Sequence, residues 1–165
     1  MSTATQPHPA DADRLQWWQA ARFGLFIHWG PVSLVGTEIG WSRGGERRGL
    51  RFSLPPGPVP VEVYDNLYKE FNPVQFDATA WVQIAQEAGM RYMVFTSKHH
   101  DGFVNFDSAL TDYKITSPRS PFGRDIVGEL ATAAHTAGLP FGCYYSPPDW
   151  RHPDYRNENH DRYLD

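Results

Sequence analysis

The sequence predicts an α/β fold on a parallel sheet, of the TIM-like (β/α)8 barrel kind, present as an N-terminal portion of about three strand–helix units. Three observations predict it. Short apolar runs of strand length alternate with stripes of helical period. Polar and aromatic residues collect directly after each run, where a barrel carries its active-site face. The length, 165 residues, falls short of the ~250 of a full barrel.

Residues 1–13 are polar, hold two prolines and lack an apolar run, so they read as a flexible N-terminal tail rather than a secretory signal. The first ordered element is expected near Arg14, with Leu15, Trp17, Trp18 and Ala21 on a helix face. Residues 23–28, FGLFIH, form the first strand, closed by Gly30 and Pro31. Residues 29–60 are rich in Gly, Pro and Arg and predict no regular core element, only short helical turns within a long functional or mobile loop. Residues 77–88 predict a helix capped by Asp77, striped by Trp81, Ile84, Ala85 and Ala88, and stopped at Gly89. RYMVFT at 91–96 is the second strand, with SKHHD at its end. Asp125 caps a second helix whose stripe is Ile126, Val127, Leu130, Ala133, Ala134 and Ala137, with Gly138 as its stop. LPFGCYYS at 139–146 is the third strand.

Composition narrows the function. Fifteen Lys plus Arg against 19 Asp plus Glu leave a formal charge of −4, which gives no basic footprint for nucleic acid. No apolar stretch is long enough to span a membrane. Cys143 is the only cysteine, so no intrachain disulfide forms. With no signal visible, a cytoplasmic location is the default expectation. The oligomeric state is left open. No Walker A, dinucleotide or nucleophile-elbow sequence occurs.

The residues with chemical potential sit at the strand ends. His28 lies where the first strand meets glycine. His99 and His100 are adjacent, and a turn there would let both line one pocket; the bland reading is a polar strand terminus. Imidazoles can ligate metal, but HHD has no spacing that defines such a site. Trp29, Trp41, Tyr144, Tyr145 and Trp150 offer apolar platforms, which with directional polar groups suit a sugar ring; the alternative is structural packing. If Tyr144 faces the barrel mouth, strand parity assigns Cys143 to packing. Any two of the many carboxylates could form a glycosidase pair, and sequence does not measure their separation.

Taken in order, RFGLFIHWGP at 22–31, WSR at 41–43, YKEFNP at 68–73, FDATAWVQIAQEAG at 76–89, YMVFTSKHHDGFVNF at 92–106, the segment 125–138 and FGCYYS at 141–146 resemble the N-terminal part of the catalytic domain of family 29 glycoside hydrolases, the α-L-fucosidases. The resemblance covers residues 14–160, and FGLFIHWG followed by KHHDGF is its specific signature. It implies residues 14–165 are a partial catalytic domain, truncated at the C-terminus, from an enzyme that hydrolyses terminal α-L-fucosides of oligosaccharides or glycoconjugates with retention. It implies no organic cofactor and no metal. It assigns fucose hydroxyl contacts to His28, His99 and His100, makes Tyr144 a pocket residue, and matches Trp41 to an aromatic sugar contact. Glu38 is a further hydroxyl-contact candidate, although GTEIGW separates acid and Trp where the family more often has EW.

The family nucleophile follows a later strand in a W-x-D-like context that residues 1–165 do not contain. Neither nucleophile nor acid/base is therefore assigned to Asp101, Asp149 or Asp165, and the 165 residues alone are expected to be inactive. Three other readings stand beside the enzyme: a catalytically silent carbohydrate-binding homologue, a metal-dependent α/β hydrolase, and a protein-interaction domain whose aromatics are core.

Overall fold

A computed structural model of the chain describes residues 9–50 and 54–164. Helix α1 spans Pro9–Ala21, so the first element begins before Arg14. Pro9 opens the helix where its missing N–H leaves no bond unmade. The apolar face read there is not buried: Leu15, Trp17 and Trp18 are exposed, and Trp17 meets only the edge of Tyr92 among the described aromatic rings.

Strands β1 (Leu25–Ile27), β2 (Met93–Lys98) and β3 (Phe141–Tyr145) form one parallel sheet in that order. Leu25 pairs with Met93, and Met93 with Phe141. Helix α2 is the single turn Val61–Tyr64, α3 is Ala78–Glu87, α4 is Ile126–Thr136 and α5 is Asp161–Leu164. Asp77 and Asp125 cap α3 and α4 as expected, accepting the N–H of Ala80 at 3.0 Å and of Gly128 at 2.8 Å. Gly89 and Gly138 follow with φ of 76° and 66°.

The main core lies between one face of the sheet and the helices. Met93 and Phe95 are fully buried there with Val82, Ala85, Ile126, Leu130 and Ala134. The α4 stripe is the one the sequence showed. The α3 stripe is rotated: Ala78, Val82 and Ala85 are buried, while Ile84 is 61% exposed and Ala88 is also exposed. Small residues let α3 approach α4 and the sheet closely, which a volume-weighted stripe does not register.

Alternation puts Phe26, Val94, Gly142 and Tyr144 on the opposite face, where Phe26 is 53% exposed. Cys143 is exposed on β3, an edge strand of the sheet, correcting the expectation that it packs. β2 runs beyond Thr96 through Lys98, with an irregular register against β3 that turns the next residues out of strict alternation. Among its described residues the long loop holds a 3-10 turn at Pro31–Leu34 and an isolated bridge between Arg43 and Val59. A second small core of Val32, Tyr64 and Leu67, with Ile39 and Val59 against it, lies beneath that loop. Among the described residues no helix is long and apolar enough to cross a membrane.

Candidate active site

The ends of the three strands meet. His28 follows β1, His99 and His100 follow β2, and Tyr144 lies near the end of β3. The His28 and His99 rings are 5.4 Å apart, His28 and Tyr144 5.5 Å, His99 and Tyr144 5.7 Å, and His99 and His100 4.2 Å. Parallel strands place their C-terminal ends side by side, so residues distant in sequence become neighbours there. Asn105 braces the arrangement, donating from Nδ2 to the Trp29 and Thr96 carbonyls at 3.1 Å each.

A cavity of about 940 Å³ opens beside these rings, and its lining includes His28, Glu38, Trp41 and His99. Glu38 is exposed on it. Trp41 faces two ways: it borders the cavity, and its ring meets His100 at 5.2 Å and Trp150 at 5.1 Å. The six sequence-singled residues therefore belong to one neighbourhood. Tyr145 does not join them; it is 54% exposed. Trp29 packs with Phe71, Phe76 and Trp81 in the core, so its role is structural. A second groove, of about 930 Å³ between α3 and α4, is lined by residues such as Gln83, Arg124 and Thr132 and contains no imidazole.

His99 and His100 are held neutral. Burial, then the neighbouring His100, His28 and Lys98, pushes the His99 pKa down to about 3. Burial and Lys98 push His100 down to about 4. His28, more open, is lowered by what burial it has against a raising pull from Glu38. The His99 Nδ1 is buried against the Gly40 backbone with no hydrogen-bond partner among the described residues. His100 Nδ1 lies 2.5 Å from the Ser146 Oγ, which fixes that ring and leaves Nε2 as its other polar atom.

Lys98 braces the far side. Its Nζ donates to the Ser146 and Pro148 carbonyls at 3.0 and 2.9 Å and lies 3.7 Å from Asp149, while burial lowers its pKa. The Trp150 N–H donates to the His100 carbonyl at 2.7 Å. Asp101 is buried, and burial raises its carboxyl to about 6, against hydrogen bonds from Tyr64 and Phe103. Asp149 Oδ1 accepts the N–H groups of Arg151 and His152. Both acids are thus engaged in holding loops; Asp165 lies outside the described residues. Among the described residues no three His, Cys, Asp or Glu side chains are placed to share a metal ion.

Sequence reading passed over Ser146 and Tyr64 as site supports. Ser146 had one signal, its strand parity with Tyr144; Tyr64 had none, since its partners are Gly40 and Asp101, 24 and 37 positions away.

A family model described as Alpha-L-fucosidase matches residues 2–164. The human tissue alpha-L-fucosidase is 35% identical over 162 residues, covering 93% of this chain and 32% of that protein. Among solved structures, alpha-L-fucosidase isoenzyme 1 from Paenibacillus thiaminolyticus superposes with a TM-score of 0.68 at 46% identity, covering 88% of this chain and 31% of that one. The alpha-L-fucosidase AlfC from Lactobacillus casei, in complex with its α-L-fucose product, superposes at 0.66 with 39% identity, covering 86% and 44%. The chain spans about a third of the length of the curated relatives it matches.

Proposed function

The chain belongs to the α-L-fucosidase family, and from that premise we propose that the protein hydrolyses terminal α-L-fucosides, with these residues forming one wall of the sugar site in a TIM-like barrel. The observation that carries the reading is the convergence of three imidazoles and a tyrosine at the ends of parallel strands. A sugar presents hydroxyls in fixed directions, and neutral imidazoles can donate to some and accept from others. The open sheet face bearing Phe26 and Tyr144 supports the barrel, since further strands would enclose it.

Neutrality has a chemical consequence. Glycoside hydrolysis passes through a transition state with positive charge on the sugar ring. An imidazolium against that ring would oppose the charge, whereas a neutral imidazole binds hydroxyls without doing so. The low His99 and His100 values keep both rings uncharged even in mildly acidic solution.

Retention needs a carboxylate nucleophile and an acid/base at a separation of about 5–5.5 Å. Asp101 and Asp149 are committed to loop contacts, and the W-x-D-like nucleophile context of the family does not occur in residues 1–165, so the reading takes the pair from elsewhere in the protein. The 165 residues alone would then hold sugar contacts without the covalent step. The test is hydrolysis of 4-nitrophenyl α-L-fucoside by the protein at full length, beside the matching α-D-glucoside and β-D-galactoside. Turnover of the fucoside alone is expected. Fucose binding without turnover would instead identify a silent carbohydrate-binding homologue, and preference for another glycoside would reject the substrate assignment.

A further inference from the structure

The loop bearing Glu38 and Trp41 is tied to the imidazole segment by a chain of buried polar groups. The Tyr64 hydroxyl accepts the Gly40 N–H at 2.7 Å and donates to Asp101 Oδ2 at 2.6 Å. Asp101 Oδ1 accepts the Phe103 N–H at 3.2 Å. Tyr64 is 1% and Asp101 3% exposed, so neither bond competes with bulk water. Gly40 has φ of 68°, and a Cβ added to it would lie 2.4 Å from His99 Nδ1. The loop backbone is therefore seated directly on the imidazole ring.

We propose that Tyr64 and Asp101 are positioning residues for sugar recognition, fixing the loop that carries Glu38 and Trp41 against His99 through the Gly40 backbone. Asp101 directly follows His100, so one short segment holds two imidazoles and, through Tyr64, the loop facing them. An apolar pair of the same shape could fill this space, and a buried carboxyl is costly. What the polar chain adds is register: a directional bond sets where Gly40 sits, which packing of Ile39 against Tyr64 does not. The loop's own bonds, from the Ser42 Oγ and N–H to the Glu38 carbonyl, shape the turn but do not attach it to the imidazole segment.

This inference rests on the fucosidase reading, and its test separates the two. In the protein at full length, kcat/KM on 4-nitrophenyl α-L-fucoside is measured for Tyr64→Phe, for Glu38→Ala with Trp41→Ala, and for all three together. Tyr64→Phe keeps the ring and removes both bonds; a loss of roughly 10-fold is expected, the effect of one net hydrogen bond. In the Glu38→Ala, Trp41→Ala background the same change is expected to cost less than about 2-fold, because the loop then has neither sugar-contacting side chain left to misplace. A merely structural Tyr64 would lower activity equally in both backgrounds. Should Tyr64→Phe not accumulate as folded protein, Gly40→Ala replaces it in the cycle; it leaves the Tyr64–Asp101 bond in place and pushes the loop off His99. Equal losses in both backgrounds, or no loss from Tyr64→Phe, overturn the inference while the fucosidase reading stands. An unsubstituted protein that does not hydrolyse the fucoside overturns both.

Discussion

Replacing His99 with Phe removes a specific part of the protein's acid sensitivity. In the folded chain the His99 pKa lies at about 3, against 6.5 for an unperturbed histidine. Between those values the unfolded chain binds a proton that the folded chain does not. The stability tied to His99 is complete above pH 6.5, starts to fall as pH drops through that value, and continues to fall toward pH 3. Each pH unit in that window costs about 1.4 kcal/mol, so lowering pH from 7 to 5 costs about 2 kcal/mol through this residue. Little solvent discount applies, since His99 is 3% exposed. Phenylalanine keeps the contacts with His28, His100 and Tyr144 but does not titrate. The assay is urea unfolding of parent and His99→Phe at pH 7 and pH 5. The parent is expected to lose about 2 kcal/mol more than the variant on acidification. The half-buried His100, lowered to about 4, contributes in the same direction in both proteins and cancels. Equal acid losses would refute the claim that His99 is held neutral by its surroundings. The same variant is expected to lower kcat/KM for an aryl α-L-fucoside by roughly 5–150-fold, the effect of leaving a sugar hydroxyl unpaired.

Further outcomes follow from individual contacts. Ser146→Ala removes the partner of His100 Nδ1 and is expected to lower kcat/KM on an aryl fucoside by about 5–30-fold, with a stability loss of about 1 kcal/mol in urea unfolding; an unchanged kcat/KM would mean that Trp41 and Trp150 alone hold the ring. Arg43→Met breaks the two-pronged pair with Asp65, both bonds 2.7 Å, and leaves that acid only the Arg151 Nε at 3.8 Å; a loss of about 2 kcal/mol in urea unfolding is expected, and one below about 0.5 kcal/mol would class the pair with surface bridges. Asp125→Ala removes the α4 cap and is expected to cost about 1 kcal/mol in the same measurement, while a neutral result would mean the Gly128 N–H finds another acceptor.

Local signals carried much of the fold. Asp77 and Asp125 cap through bonds that span three positions, and Gly89 and Gly138 end their helices by backbone conformation alone. Such features depend on nearest neighbours, and sequence displays neighbours directly. The convergence of His28, His99, His100 and Tyr144 was legible for a different reason. In a parallel sheet the residues just past each strand must lie at one end, whatever the details of packing. The rest depended on distance. Burial of Ala78 in place of Ile84 follows from how closely α3 meets α4, which one helix's periodicity does not contain. The Arg43–Asp65 pair joins positions 22 apart, and His100–Ser146 joins positions 46 apart. The extension of β2 to Lys98 comes from its pairing with Tyr145 across an irregular register, which the composition of SKHHD does not suggest.

The measurement that tests the central claim most directly is a crystal structure of the protein at full length with L-fucose bound. The sugar is predicted in the cavity between His28, Glu38, Trp41 and His99, with hydroxyl oxygens about 3 Å from ring nitrogens of His28, His99 and His100 and with Tyr144 at its edge. Fucose seated instead in the groove between α3 and α4, or held without any of the three imidazoles, would contradict the account.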